Sequence, residues 1–447
     1  MAAGDGRANM TVAVIGGGFC GVLTAIHLLS RHPTVKVRLV EKANRIGLGR
    51  AYATGNPDHL LNVRASNMSA FPDRPRHFLD WLAHEAGEGD GFASRGAYGR
   101  YLQGLLRDAV GEGGDPGRLL LEQDEAVDLE PWSGGWRVRL AMGRGFDADA
   151  VVLAMGAPPP ALETGAEPGG GRYFSDPWAL DAEAMPGGTI LLVGSGLTMV
   201  DVALGLERED RRFVVVSRRG LLPHEHGPAP PAPLPAGLLG SPAQALATLR
   251  AHAATVGWRS AVDSIRGLTP ALWRNWDEAD RRRFLRHGRA WWDIHRHRMA
   301  PRVAARIGEL TAEGRLEVVA GRIVAMTTFE DGLAVTLRRR GHAEPESRLA
   351  AAAVDCTGLS GDLRRLPLFE RLEARGLAGA DALGLGLGVD AELRVTGRSG
   401  RVTPGLYAVG PLTRAARWET VAVPDLRTQT AEVARRLVDE LTARTMA

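Results

Sequence analysis

Apolar residues along this chain fall in short unbroken runs that end on glycine, each followed by a stretch with helical spacing. TVAVIG (11–16) reads as a fully buried strand, VLTAIHLLSR as a helix and VKVRLVEK as the next strand. Strand, glycine turn, helix and strand make one βαβ unit. The order recurs in TILLVGSG, LTMVDVALGL and RFVVVSRR, from Thr189 to Arg219. Residues 56–107 predict loop and helix: Pro57, Pro72 and Pro75 interrupt, while FLDWLAHEA and YGRYLQGLLRDAV keep helical spacing. RLLLEQD, WRVRLAM and DAVVLAMG, divided by SGG and GRG turns, predict a small antiparallel meander returning to a buried strand. RLEVVAG, IVAMTTF, LAVTLRRR and AAAVDCTG predict the same in the second half.

The glycine turns give these units a ligand. Gly16, Gly18 and Gly21 form G-x-G-x-x-G between a strand and a helix. The first glycine permits the turn, the second admits a pyrophosphate and the third allows close packing of helix on strand. Glu41 ends the next strand, where a carboxylate accepts from ribose hydroxyls and disfavours a 2′-phosphate. Position first in the chain favours FAD, with Gly47, Gly49 and Arg50 in the following loop passing along the longer ligand. Cys20, Lys42 and Gly156 join this expected FAD set, Cys20 as a small residue that fits the loop. Gly194, Gly196 and Thr198 begin the second loop, where Met199 replaces the third glycine. Arg218 and Arg219 stand where the first unit has Glu41, which suits a 2′-phosphate and hence NADPH. The expected fold is therefore α/β with two Rossmann-like dinucleotide-binding lobes, one discontinuous and the other inserted in it. Boundaries follow at 1–170 for the first part of the FAD lobe, 171–340 for the NAD(P)H lobe and 341–447 for the FAD return. A Pro-rich and helical insertion spans 221–300, most of its tryptophans, Trp273, Trp276, Trp291 and Trp292, being expected in its own core.

Composition narrows the alternatives. A chain of 447 residues exceeds one hydrophobic core. Its 45% hydrophobic and 24% charged content is ordinary for a globular protein. Lys36 and Lys42 are its only lysines, so its basicity is arginine, and a net charge of +3 does not suggest nucleic acid as a partner. Arg281, Arg282 and Arg283 read as a solvated helix face. Two cysteines, Cys20 and Cys356, make neither a disulfide framework nor the CxxC of a dithiol reductase. His295 and His297 fall on different faces of a helix, and His224-Glu225-His226 lacks a third ligand at recognisable spacing, so no metal is expected. Neither a signal segment nor a membrane-spanning run is evident, and a cytoplasmic location is expected.

Longer motifs add a resemblance. GRAY (49–52), HLLNVRASNMSAFP (59–72), YGRYL (98–102), DPW (176–178), GSGLTMVD (194–201), SRRGLLP (217–223), WDIHRHRMAP (292–301), DCTG (355–358) and GPLTRAARWETVAVPDLRTQ (410–429) carry it. On these the chain resembles the bacterial FAD/NAD(P)-binding protein family, a relative of two-dinucleotide flavoproteins and flavin monooxygenases. HLLNVRASNMSAFPDRP looks like the monooxygenase segment that carries an asparagine beside the flavin, which implies a catalytic role for Asn62. Its amide would serve flavin N5, a C4a-hydroperoxide or the nicotinamide amide; the other reading is an Asx-type loop cap. GLYAVGP (405–411) is similar to the late GD motif, with Pro411 in place of aspartate, and implies that Gly410 approaches the flavin. Val423 opens a helix whose N-terminus would face the flavin N1–C2=O edge. The FxGxxxH motif of flavin monooxygenases is absent, Asp176 standing near its histidine, and Arg64 replaces a usual proline.

The expected activity is an NADPH-dependent flavin monooxygenase that uses a C4a-(hydro)peroxide on a nitrogen or sulfur of a small molecule, or for Baeyer–Villiger insertion. Two other readings stay open. One is a reductase or oxidase that passes electrons to a quinone, a protein or oxygen; the other is a non-catalytic FAD/NADP sensor.

Overall fold

The computed structural model describes residues 10–112, 117–158 and 171–446. It divides into two compact units: residues 1–55, 63–158 and 361–447 make the first, and residues 56–62 with 159–360 the second. The second unit thus runs to Ser360, past the boundary expected at 340, because the last strands of its sheet lie between those positions.

In the first unit β1 (Met10–Ile15), α1 (Phe19–Arg31) and β2 (Val35–Glu41) form the expected βαβ element. Then come α2 (Gly49–Tyr52), α3 (His77–Ala86) and α4 (Arg95–Arg107). β3 (Leu119–Gln123), β4 (Ala126–Trp132), β5 (Gly135–Leu140), β6 (Gly145–Ala148) and β7 (Ala150–Leu153) follow. The RLLLEQD segment does not join the meander. It is β3, paired in parallel with β2 from Val37–Leu119 to Glu41–Gln123, and the missed strand AVDLEPW (β4) takes its place in the three-stranded sheet β4-β5-β6. Both segments are short and apolar, and a strand's partner is set by tertiary pairing that periodicity does not report.

The second unit begins with β8 (Tyr173–Phe174), β9 (Gly188–Val193), α5 (Leu197–Gly205) and β10 (Arg211–Ser217). Its insertion is helical as expected: α6 (Pro242–Val256), α7 (Trp258–Ser264), α8 (Thr269–Asn275), α9 (Glu278–Arg283) and α10 (Arg289–Arg296), then α11 (Pro301–Ala312). Ser241 and Gln244 close a capping box at the start of α6. Trp273, Trp276 and Trp292 are buried, while Trp291 is exposed. Arg282 and Arg283 pair with Glu278 and Asp280, and Arg281 bonds the Trp273 carbonyl and lies over its ring.

β11 (Leu316–Phe329) pairs in parallel with β10 up to Ala320 and from Gly321 runs antiparallel to β12 (Gly332–Arg339), with a bulge between Ile323 and Ala325. With β13 (Glu346–Ala350) and β14 (Ala352–Asp355) this gives one seven-stranded sheet in the order β13-β12-β11-β10-β9-β14-β8. Here the meander continues the parallel sheet, whereas in the first unit it forms a sheet of its own. Leu191, Val193 and Val216 of the parallel part pack with Leu333, Val335 and Leu337 of the meander.

The chain returns to the first unit with α12 (Pro367–Ala374), β15 (Arg394–Thr396), β16 (Val402–Ala408) and α13 (Val423–Met446). Its main sheet reads β15-β16-β7-β1-β2-β3, so β16 inserts beside β7, from Leu406–Val151 to Ala408–Leu153. Ala13, Ile15, Val151 and Leu153 pack against Leu129, Trp136 and Val138 of the small sheet and Leu368 and Phe369 of α12. α13 packs against α1.

Candidate functional site

Each glycine loop leaves a strand with neighbours on both sides: β1 lies between β2 and β7, and β9 between β10 and β14. At such a switch point the carboxyl ends of the strands open a crevice, the usual dinucleotide site of doubly wound sheets.

The two loops match bond for bond. Gly16 N donates to Val40 O and Gly194 N to Val216 O, both at 2.8 Å; Ala154 N donates to Ile15 O and Cys356 N to Val193 O, both at 2.7 Å. The φ angles of Gly16 and Gly194 are 106° and 101°. A Cβ at either position would come within 2.6 Å of a carbonyl oxygen, that of Ala154 or of Cys356. Only glycine meets both demands. Gly18 and Gly196 cap α1 and α5, whose first amide groups lack side-chain caps and are left for an anion. Thr198 lies in the first turn of α5.

Beyond this shared frame the loops diverge. A Cβ on Gly21 would fall inside the Gly16 carbonyl oxygen, so α1 lies hard against the loop. In α5 the fully buried Met199 takes that place. In the first loop Glu41 Oε2 accepts from Gly17 N at 2.7 Å and Oε1 from Ala43 N at 2.8 Å. Each oxygen retains a lone pair for a ribose hydroxyl. Gly17 itself was not singled out in the sequence; a Cβ there would lie 2.8 Å from Glu41 Cβ, and the run of three glycines was the available signal. In the second loop Ser195 Oγ donates to Leu221 O at 2.6 Å and accepts from Ser217 Oγ at 2.9 Å, pinning the end of β10.

At that strand end Arg218 is exposed and holds no ion pair or hydrogen bond among the described residues. Arg219 is partly engaged: it reaches the Arg286 and His287 carbonyls, both at 3.4 Å, and lies 6.0 Å from the Trp291 ring centroid. The two arginines therefore differ, which their adjacency in sequence did not reveal.

Several other first-unit residues converge on the first loop. Gly49 approaches Gly18 so closely that a Cβ on it would be 3.2 Å from Gly18 Cα, leaving a wall without side chains. A Cβ on Gly410 would lie 2.9 Å from Cys20 Sγ. Gly410 N donates to Gln429 Oε1 at 2.7 Å, and Gln429 Nε2 donates to Thr413 Oγ1 at 2.8 Å, so buried Gln429 on α13 fixes this turn. Val423, buried, opens the same helix. Gly156 follows β7 with open space beside its Cα. Arg50 is exposed on α2, and Lys42 is turned to Glu125 at 3.2 Å on the surface. These glycine cradles, free helix amides and the Glu41 carboxylate fit a flavin adenine dinucleotide.

Residues 13–158 match the sequence profile of the FAD-NAD(P)-binding family. This segment is similar to FAD-NAD(P)-binding domains. The matched stretch ends just past Gly156, so it includes the whole first loop, Glu41 and β7. No curated protein matches the chain. Among solved structures, ornithine hydroxylase from Pseudomonas aeruginosa, in its reduced form, is 18% identical with a TM-score of 0.68; 97% of this chain and 100% of that one are covered. The ornithine N-hydroxylase of Kutzneria sp. 744, solved with reduced FAD, NADP+ and L-ornithine, is 17% identical (TM-score 0.66; 97% and 100% covered). The bacillithiol disulfide reductase of Staphylococcus aureus is 13% identical (TM-score 0.61; 96% and 98% covered). The chain shares the fold of these two-dinucleotide flavoproteins along nearly its full length.

Asn62 lies in the second unit, on the 56–62 segment, and its carbonyl accepts from His226 Nε2 at 3.0 Å. Its side-chain amide makes no hydrogen bond among the described residues. The Asx turn of this loop belongs to Asn56, whose Oδ1 accepts from Asp58 N at 2.9 Å, so the amide of Asn62 is not used as a cap. Asp176 likewise caps a turn, accepting from Trp178 N at 3.1 Å.

Both cysteines are buried. Burial pushes the Cys20 thiol up to about 12 and raises that of Cys356 too, with Asp355 and Asp201 adding to the shift. With a folded-state pKa near 12, Cys20 would be about one part in ten thousand thiolate at pH 8. Iodoacetamide at that pH should therefore label neither cysteine until the protein is denatured; mass spectrometry of native and denatured samples checks this. Among the described residues no cluster of three metal-ligating side chains occurs, and no helix is long and apolar enough to cross a membrane.

Proposed function

We propose that the protein is an NADPH-dependent FAD monooxygenase that oxygenates a nitrogen or sulfur nucleophile of a small molecule. The observation that carries this reading is the pairing of two loops of one design, one ending on a carboxylate and the other on an exposed, unengaged arginine. FAD would be held by Gly16, Gly18, Gly21, Glu41, Gly49, Gly156 and Gly410, and NADPH by Gly194, Gly196, Thr198 and Arg218. When bound, NADPH would supply hydride and FAD the redox chemistry that activates oxygen. The chain's own contribution is to bind, orient and exclude water. The amide groups at the start of α1 and α5 would face the two pyrophosphates, and Glu41 would hold the ribose at the first loop. Arg218 would receive the 2′-phosphate through charge-assisted bonds. The amide of Asn62, which makes no hydrogen bond among the described residues, is the proposed catalytic group at the reacting centre.

The fold neighbours that hydroxylate ornithine support an amine as the first substrate class to test. The likeness to a disulfide reductase is a poorer guide, because both thiols are buried and burial disfavours the thiolate that disulfide exchange needs. The turn-capping role of Asp176, at the place of a histidine in flavin monooxygenases, favours a second reading. On it, the same hydride path ends in simple reduction of oxygen or another acceptor.

Anaerobic addition of one equivalent of NADPH to the purified protein tests the pairing: the flavin bands should bleach. Admitting oxygen with a panel of amines and thioethers then separates the readings, since an oxygenase forms hydroxylated product and an oxidase only peroxide. Asn62→Ala should lower coupled turnover by roughly 10-fold, the scale of one lost oriented hydrogen bond to a charged group, and raise peroxide released per NADPH. Unchanged coupling in that variant would remove Asn62 from the mechanism.

A further inference from the structure

Residues 56–62 are flanked in sequence by first-unit residues, yet they are packed into the second unit. Several ties hold them there, three of them as follows. Asp58 pairs with Arg302 at 2.8 Å, His59 packs edge-on against Trp178 with ring centroids 6.4 Å apart, and Asn62 O accepts from His226 Nε2. The third tie reaches the residue whose side chain matters. Its base is firm: His224 N donates to Ile294 O (3.0 Å), Met299 N to His224 O (2.8 Å) and His226 N to Met299 O (2.9 Å). The PHEH segment is thus zipped to residues 294–299, and the imidazole projects from a braced backbone.

We propose that His226 is a positioning residue for Asn62, a role that rests on Asn62 acting at the reacting centre. The ring fixes the main chain of Asn62 and leaves the amide untouched, which confines the side chain without occupying it. A carbonyl only accepts, so Nε2 must carry the proton. Both the imidazolium and the Nε2–H tautomer satisfy this, and the tie survives titration of the ring. His226 therefore acts through geometry rather than by exchanging a proton.

The test compares His226→Ala and His226→Gln, alone and with Asn62→Ala, in the FAD-loaded enzyme. In H226A, amide hydrogen exchange across peptides covering 56–63 should speed up, and peroxide released per NADPH should rise by about 2- to 10-fold, the range of one net hydrogen bond. The KM for NADPH should stay within a factor of about two and the shape of the pH–rate profile should not change. H226Q, which keeps a donor, should recover much of the coupling. In the N62A background the H226A change should add nothing, as expected of residues acting through one another.

If H226A leaves coupling intact while N62A uncouples, the proposal fails and the role of Asn62 stands. Additive effects of the two changes, or loss of one limb of the pH profile, also overturn it. If N62A itself leaves coupling unchanged, the reading of Asn62 fails first and this proposal with it. Should H226A not fold, His226→Phe keeps the ring and removes the donor, and its contrast with H226Q carries the same test.

Discussion

Gly21→Ala is expected to give protein that purifies without FAD and unfolds several degrees earlier. The added Cβ would fall inside the Gly16 carbonyl oxygen, close to its carbonyl carbon at 2.9 Å and to Leu39 Cδ1 at 3.4 Å. Two of these atoms are backbone and cannot swing aside. α1 must lift from the loop, and the amide groups that face the pyrophosphate move with it. Overpacking of this kind costs about 1–3 kcal/mol, which corresponds to a Tm loss of roughly 2–12 °C in a unit of this size. Flavin absorbance per mole of protein and a thermal melt of the apoprotein measure the two effects separately. Full FAD content with an unchanged melt would show that the loop does not bind as described. Met199→Gly in the second loop makes a useful contrast: there the side chain is fully buried core, so the loss should be of stability.

The second large effect is expected from Arg218→Glu. Arg218 is exposed and unengaged among the described residues, whereas Arg219 already reaches two carbonyl groups of the insertion. Losing a charge-assisted bond and placing a carboxylate against the 2′-phosphate should cost at least about 3 kcal/mol, or more than 100-fold in NADPH affinity. NADH, which has no phosphate at that position, should be affected little, so the preference for NADPH over NADH collapses. Rates of anaerobic flavin reduction against nucleotide concentration give both numbers. A parallel loss for NADH would point to a folding defect. A retained preference would assign the phosphate to other residues. Arg219→Ala should act more weakly on affinity, because its present partners tie the β10 end to the insertion.

Much of this site was legible in the sequence because glycine positions record steric demands directly. Gly16, Gly21 and Gly194 are needed where backbone meets backbone, and the spacing around each strand announces that. The same local grammar gave both βαβ units and the helical insertion. Partner choice was less legible. Leu119–Gln123 and Ala126–Trp132 are both short apolar runs, and nothing local assigns the first to β2 and the second to the small sheet. The end of the second lobe was hard to read for a related reason: the boundary expected at 340 falls before β13 and β14, which pair with β12 and β9. The tie of His226 to Asn62 spans 164 positions in sequence and uses a main-chain acceptor, which carries no residue signature. Arg218 and Arg219 looked equivalent because exposure, unlike identity, is decided by what the rest of the chain lays beside them.

The insertion of β16 beside β7 also bears on how the chain is made. β7 is buried throughout, and its second edge stays unpaired until β16 arrives roughly 250 residues later. At about 5–20 residues per second a ribosome takes some 12–50 s to cover that distance, during which the whole of 159–360 emerges and can fold. An apolar strand edge is meanwhile open to pairing with a neighbouring nascent chain. The pace of translation across the inserted unit thus enters the yield of native protein, although none of that unit's described residues belongs to the sheet that waits for completion.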